Sequence, residues 1–217
     1  MNENPTYVTH YYESEYGPFR NICDLPESEW GALIEKEKHS NTEFNRFFIG
    51  LEFFRNRCEA DNILIQLYEE KFEQKPSMRP SYATLGSFDR TNGMYRAPSS
   101  IEFPLSLFEE HEITFIYEDH GHLGWMIGSQ DAPDWFEERE YHTLLFSKSE
   151  LEDAFQRYGL GGRIKSAREN SRWVSSYVEA HIWVDFDTLD QRSQPGESGQ
   201  LRSLRSLRAT SRRSPKE

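Results

Sequence analysis

The sequence predicts an α+β fold: a single domain in which a mainly antiparallel or mixed, twisted sheet packs against a long aromatic-rich helix. Several short segments alternate apolar and polar residues, as half-buried strands do, and they outnumber β-α-β alternations. One long segment repeats apolar residues at three- and four-residue steps, as an amphipathic helix does. Aromatic residues make up 14% of the chain. Because disordered chains are poor in aromatics, this content indicates a packed core.

Length and composition favour a soluble, cytoplasmic protein without a membrane span. The 217 residues are enough for one domain with a sizeable core. No apolar run approaches the roughly 20 residues that a spanning helix needs. The first ten residues contain neither a basic n-region nor an apolar h-region. Cys23 and Cys58 have no CxxC or histidine-paired spacing, so they predict neither a zinc site nor a disulfide framework.

The charge is distributed unevenly along the chain. Residues 191–217 contain seven basic and two acidic residues, so residues 1–190 carry a net charge of −17 within a total of −12. Phosphate repulsion makes nucleic acid a poor partner for such an acidic body. The last segment is rich in Ser, Arg, Gly and Pro. We therefore divide the chain into a domain, residues 1–190, and a disordered basic tail, residues 191–217.

The elements of the first half follow from local patterns. Residues 7–12 are rich in β-formers and predict a strand, and residues 24–38 predict a helix with Pro26 in its first turn. Asn41 or Thr42 is the predicted cap of the long helix, whose aromatic and aliphatic stripe ends before Pro76. We interpret the stripe as the face that packs on the sheet. Residues 81–85 predict the next strand.

The second half predicts four more strands and one helix. The strands are residues 101–107, 112–117, 141–146 and 177–187, with an irregular stretch at residues 121–140. Ser149 and Glu152 form a capping-box pattern that opens a helix ending near Tyr158, where Gly159 is the stop signal. The segment from residue 161 to residue 172 is polar, gives no clear secondary-structure pattern and leads into the last strand.

The last predicted strand, YVEAHIWVDFD, has one apolar and one polar face. Because side chains alternate along a strand, Glu179 and His181 share the polar face between two aromatic rings. A carboxylate held between aromatic rings has a shifted pKa or stabilises a cationic transition state. The alternative is that both residues form structural ion pairs across the sheet, which the pattern alone favours. The chain contains no Walker, Rossmann, HExxH, kinase or nucleophile-elbow motif.

Two further groups are candidate sites. His120 and His122 have the i, i+2 spacing that could serve a metal with another histidine or carboxylate, but this spacing favours a solvated loop, and we predict no metal ligands. Arg79, Arg90 and Arg96 flank the strand at residues 81–85. Several arginines in an acidic domain could bind a phosphate or carboxylate of a substrate. Surface ion pairing is the favoured alternative.

The chain resembles a family of uncharacterised bacterial proteins. The resemblance is carried by the following segments: HYY (10–12), YGPFRN (16–21), DLP (24–26), PSYATLG (80–86), IEFPLSLF (101–108), ITFIY (113–117), RYGL (157–160) and YVEA (177–180). It covers most of residues 7–186 and departs from the family pattern at residues 118–120. The resemblance implies that these residues form one domain, and it implies no activity.

A more distant likeness is to ADP-ribosyltransferase-like folds, which are split-sheet α+β domains. Those folds bind NAD with a His or Arg, a Ser or Tyr, and a late Glu, in that order along the chain. His10, Tyr82 or Tyr117, and Glu179 match that order. The likeness implies an NAD-utilising enzyme in which the imidazole holds the ribose, the tyrosine stacks on nicotinamide and Glu179 is the key carboxylate. This requires His10 and Glu179 to lie in one cleft.

Two other functions are open from the sequence. The first is a non-catalytic, protein-binding or regulatory module that uses the acidic domain and the basic tail. The second is a metal-dependent enzyme built on His120 and His122.

Overall fold

A computed structural model describes residues 5–40, 42, 45–120, 123, 138–171 and 176–194. Within these residues six strands form one sheet, in the order β3-β1-β2-β6-β4-β5, and each neighbouring pair is antiparallel. The strands are β1 (Tyr7–Glu13), β2 (Ser81–Leu85), β3 (Pro98–Pro104), β4 (Ile113–Ile116), β5 (Phe146–Ser147) and β6 (Glu179–Ile182). The predicted α+β class with an antiparallel sheet is confirmed. The predicted tail lies outside the described residues beyond position 194.

Helices cover both faces of the sheet. They are α1 (Glu27–Glu37), α2 (Leu51–Phe72), α3 (Leu151–Tyr158), α4 (Leu160–Glu169) and α5 (Phe186–Ser193). One face packs under α2 through Leu64 and Tyr68. The other face packs under α3, α4 and α5, which contribute Leu151, Leu160 and Leu189 to the larger core cluster. Among the described residues, no helix combines the length and apolar character of a membrane span.

Two helices differ from the prediction because of glycine. Helix α2 begins at Leu51, after a 3₁₀ turn at Phe47–Ile49 and Gly50 with φ of 77°. This positive φ interrupts the predicted helix, whose expected cap was Asn41, which lies outside the described residues, or Thr42. Helix α4 was not predicted, since Gly161 and Gly162 lower its intrinsic propensity. Burial of Leu160 and Ala167 stabilises it despite these glycines.

The last predicted strand is shorter than its alternation suggested. Pairing ends at Ile182, and α5 begins at Phe186. Asp185 caps α5, because its carboxylate accepts hydrogen bonds from the Thr188 amide at 2.9 Å and from its hydroxyl at 2.7 Å. The predicted domain boundary at residue 191 falls inside this helix. Arg192 donates to Glu112 of the segment before β4 at 2.9 Å, so the ordered domain includes it.

Cys23 and Cys58 form a disulfide, contrary to the sequence-based expectation that the two cysteines provide none. Their Cα atoms are 5.5 Å apart, within the range of protein disulfides. The bond ties the 3₁₀ turn at Ile22–Asp24 to the middle of α2. The sequence could not show this pairing because it depends on the docking of two distant segments. The cytoplasmic location stays a prediction, and disulfides persist more readily in oxidising compartments.

Replacing Cys58 with alanine is expected to lower the free energy of unfolding by about 3 kcal/mol, because the disulfide restricts the unfolded chain. The two cysteines are 35 residues apart. Urea unfolding of the oxidised protein and of Cys58→Ala measures the difference. A reducing agent should destabilise the parent protein and leave the variant unchanged. Equal stability of the two proteins without reductant would show that the disulfide does not form.

Candidate metal centre

The sheet register brings polar side chains into two adjacent rows on the face under α2. In one row Tyr82 and Thr114 lie opposite His181. In the next row Glu179 lies between Thr84 and Ile116. Directly opposed residues of antiparallel strands point to the same face. The polar face of β6 is therefore buried beneath α2, with Glu179 5% exposed and His181 fully buried.

Glu179 is the centre of a hydrogen-bond cluster. Its Oε1 atom is 2.7 Å from Nδ1 of His120 and 3.0 Å from Nε2 of His181, and it also accepts the backbone N–H of His120 at 3.3 Å. Burial by itself raises the pKa of the Glu179 carboxyl, but the interactions with His120 and His181 outweigh it and hold the pKa well below its usual range. Glu179 is therefore a carboxylate.

A buried chain of hydrogen bonds fixes the tautomer of His181. The Trp183 Nε1–H donates to the Thr114 hydroxyl at 2.8 Å, and this hydroxyl lies 3.3 Å from Nδ1 of His181. Because the indole can only donate, the Thr114 hydroxyl is free to donate to Nδ1. Burial lowers the pKa of His181, and its hydrogen bond to Glu179 only partly opposes this. A neutral His181 thus donates from Nε2 to Glu179 and orients the carboxylate.

Asp61 of α2 holds the residues that cover the cluster on the helix side. It is fully buried and accepts hydrogen bonds from the Tyr82 hydroxyl and, at 2.7 Å, from the Asn21 amide. Arg57, one turn earlier on α2, has its Nε 3.5 Å from Asp61, and Arg79 approaches at 3.8 Å. Burial raises the pKa of Tyr82 well above its usual value, so the phenol stays protonated and donates.

Two residues of this cluster, together with the neighbouring Asp119, could hold a metal ion. Asp119, His120 and Glu179 are each buried, and one ligand atom from each lies within 4.8 Å of the other two. Asp119 also accepts the Tyr177 hydroxyl at 2.8 Å. Carboxylate oxygen and imidazole nitrogen are zinc ligands with bonds of about 2.0–2.2 Å, so ligand atoms on one ion lie within about 4 Å of each other. An ion bound by Nδ1 of His120 and Oε1 of Glu179 would replace the 2.7 Å hydrogen bond between these atoms, and the imidazole would bind it in the neutral form.

His10 does not lie beside Glu179, and the predicted cleft of these two residues is absent. Thr9 pairs with Thr84 and shares the face of Glu179, so the next residue, His10, points to the opposite face. Its Nδ1 is 2.7 Å from the Tyr82 carbonyl, and its Nε2 accepts the Phe19 amide at 3.0 Å. Both ring nitrogens are therefore used by the backbone, which gives His10 a structural role.

This arrangement predicts a pH dependence of stability. Burial lowers the pKa of His10 from 6.5 to about 4, with the hydrogen bond to Tyr82 opposing it. Between these values the unfolded chain binds more protons, so the free energy of unfolding falls as the pH drops from 6.5 towards 4, by up to about 3 kcal/mol. Urea unfolding at several pH values should show a shallower slope for His10→Gln than for the parent. Equal slopes would contradict the prediction.

The other predicted residues divide between the two faces. Tyr82 reaches the cluster, where its ring centroid is 4.5 Å from that of His120. Tyr117 lies in the core cluster of the opposite face. Arg79 bonds Asn62 at 3.2 Å and pairs with Asp61, whereas Arg96 pairs with Glu15 at 2.7 Å and with Glu37 at 3.2 Å.

Arg90 is exposed on the 3₁₀ helix Asp89–Met94. Arg79 and Arg96 belong to different ion-pair groups, because Arg79 pairs with Asp61 whereas Arg96 pairs with Glu15 and Glu37. His122 lies outside the described residues.

The sequence interpretation missed Arg57 and Asp61, although a signal was present. The apolar stripe of α2 contains Phe54, Cys58, Ile65 and Tyr68, and Asp61 occupies the stripe position between Cys58 and Ile65. An acidic residue on the buried face of a helix needs a partner, and so marks a polar site.

Comparisons with known proteins add no relative. No protein-family model matches the chain, and searches of curated proteins and of solved structures found no significant match.

Proposed function

We propose that the protein is a divalent-metal-dependent hydrolytic enzyme, with Asp119, His120 and Glu179 as the metal ligands. The observation that carries this proposal is the convergence of three buried ligand atoms within 4.8 Å of one another. Three protein ligands of the types that zinc prefers leave a fourth position for water or substrate, as in catalytic zinc sites.

The charge balance of the cluster supports a bound cation. Asp61, Asp119 and Glu179 are all at least 95% buried. Arg57 lies close enough to interact with all three carboxylates, Arg79 lies 3.8 Å from Asp61, and His120 lies 2.7 Å from Glu179. Burying several carboxylates is costly unless cations compensate them. A divalent ion between Asp119 and Glu179 would add to the compensation that these side chains provide.

The surrounding residues suit a catalytic metal. His181 would hold the Glu179 carboxylate in place, and Tyr177 would hold Asp119, as supporting hydrogen bonds do around metal ligands. The ring of Tyr82, whose hydroxyl stays protonated, lies beside His120. A bound Zn²⁺ lowers the pKa of its water to about 7 and so supplies hydroxide for attack on an ester, amide or phosphoester.

The test is metal binding by the full-length protein. We expect chelator-treated protein to bind one equivalent of Zn²⁺ with a dissociation constant in the micromolar range or tighter, measured by calorimetry. The melting temperature should rise with Zn²⁺ concentration, because an ion that binds only the folded state stabilises it. The loaded protein is then assayed on chromogenic carboxylic esters and phosphoesters.

Two results would refute the proposal. One is the absence of binding by Zn²⁺, Mn²⁺ and Mg²⁺ to a folded protein. The other is stoichiometric binding that persists unchanged when His120 is replaced by glutamine, since the ion would then occupy another site.

The sequence also predicted two other functions, an NAD-utilising enzyme and a protein-binding module. The NAD-utilising enzyme stays a prediction, but the cleft that it requires would need His10 beside Glu179, and the two residues lie on opposite faces of the sheet. The protein-binding module stays a prediction. Its basic tail lies outside the described residues, and a pull-down with and without residues 191–217 would test it.

A further inference from the structure

We infer that Arg57 forms an anion subsite beside the proposed metal, and that the substrate carries a phosphate or carboxylate group there. This inference rests on the proposed function and names the class of substrate that the site would take.

Arg57 is held in place by stacking on the Tyr82 ring. Its guanidinium carbon lies 3.6 Å from the centroid of the Tyr82 ring. Its Nε atom is buried without a hydrogen-bond partner among the described residues, although it lies 3.5 Å from Asp61. An arginine stacked on an aromatic ring keeps its fork of N–H groups available for a planar or tetrahedral oxyanion.

Asp61 does not use up the hydrogen-bonding capacity of Arg57. The Asp61 Oδ1 atom accepts the Tyr82 hydroxyl, and Oδ2 accepts the Asn21 amide. The carboxylate therefore fixes Tyr82 and Asn21 by direct hydrogen bonds and attracts Arg57 only through space. An arginine with a buried, unsatisfied N–H is costly, and an anionic ligand would remove that cost.

The position of Arg57 fits a substrate group next to the metal. The Tyr82 ring contacts both the Arg57 guanidinium and the His120 ring, so the arginine and the proposed ligand share one aromatic neighbour. The Arg57 side chain is 19% exposed, which leaves it reachable from solvent. Arg79 and Arg96, by contrast, donate to protein groups at 3.2 Å or less.

Metal binding should raise the affinity of the Arg57 subsite for anions. Without a cation, the carboxylates of Asp119 and Glu179 repel an incoming anion. A divalent ion would neutralise them and leave the positive charge of Arg57 to attract the substrate. Anion affinity is therefore expected to depend on the metal.

The experiment titrates inorganic phosphate, and separately acetate, into full-length protein that carries one equivalent of Zn²⁺. The variants are Arg57→Gln, Arg57→Lys and the control Arg55→Gln. Arg55 is on the same helix with a 65% exposed side chain. We expect the parent and Arg55→Gln to bind either phosphate or acetate with the same affinity. Arg57→Gln should bind that anion at least 10-fold more weakly. Arg57→Lys should recover only part of the anion affinity, because lysine lacks the planar fork of N–H groups.

The outcomes separate this inference from the proposed function. Arg57→Gln should not weaken Zn²⁺ binding, since it removes a nearby positive charge, and circular dichroism should show an intact fold. Zn²⁺ binding without any Arg57-dependent binding of phosphate or acetate would refute the subsite and leave the metal centre standing. If Zn²⁺ itself does not bind, both fail. The anion whose binding depends on Arg57 shows whether the substrate group is a phosphate or a carboxylate.

Discussion

Replacing Glu179 with glutamine is expected to weaken Zn²⁺ binding by at least about 100-fold, which is the upper end of the loss seen when only a supporting residue is removed. Glutamine keeps the shape of the side chain but removes the negative charge, and its amide nitrogen is not a useful zinc ligand. The hydrogen bonds from His120 and His181 converge on Oε1, and they would lose their charged acceptor. Calorimetry on chelator-treated protein measures the effect.

The matched control is Glu102→Gln. Glu102 lies on β3 opposite Thr9, and hence on the same sheet face as Glu179, but it is exposed. The same chemical change there should leave Zn²⁺ affinity within about twofold, because exposed surface substitutions have small effects. A Glu179→Gln protein that is folded and binds Zn²⁺ as tightly as the parent would show that Glu179 is not a ligand.

Local patterns predicted the elements that depend on local chemistry. Strand β2 has the predicted bounds, residues 81–85, because its β-forming residues are flanked by breaking signals. Helix α3 ends at Tyr158 with Gly159 in the left-handed conformation, φ 62°, as the glycine predicted. The predicted strand at residues 141–146 was largely wrong, since only Phe146–Ser147 pairs with β4.

The candidate metal centre could not be predicted from local patterns, because it depends on contacts between distant segments. The alternation of β6 correctly placed Glu179 and His181 on one face, but it could not show that this face is buried. Burial follows from the docking of α2, which brings Asp61 and Arg57 from more than 100 residues away. The position of His10 depended on strand register, because a shift of one residue moves a side chain to the other face.

Replacing Asp61 with alanine is expected to lower the free energy of unfolding by about 3–5 kcal/mol, the cost of breaking a buried ion pair by removing one partner. The substitution removes the carboxylate that pairs with Arg57 at 3.5 Å and leaves it only the interactions with Asp119 and Glu179. It also removes the acceptor of the Tyr82 hydroxyl and of the Asn21 amide. Urea unfolding measures the loss, and Glu70→Ala, an exposed position on the same helix, should change stability by less than about 0.5 kcal/mol.

A double variant separates the ion pair from the packing. If the cost comes from the uncompensated charge of Arg57, then Asp61→Leu combined with Arg57→Met should be more stable than Asp61→Leu alone, because buried ion pairs are often replaced by apolar residues with little loss. A double variant less stable than Asp61→Leu would instead show that the Arg57 stack on Tyr82, 3.6 Å from the ring centroid, stabilises the domain independently of Asp61. The coupling energy between positions 57 and 61 thus distinguishes an arginine held for its charge from one held for its packing.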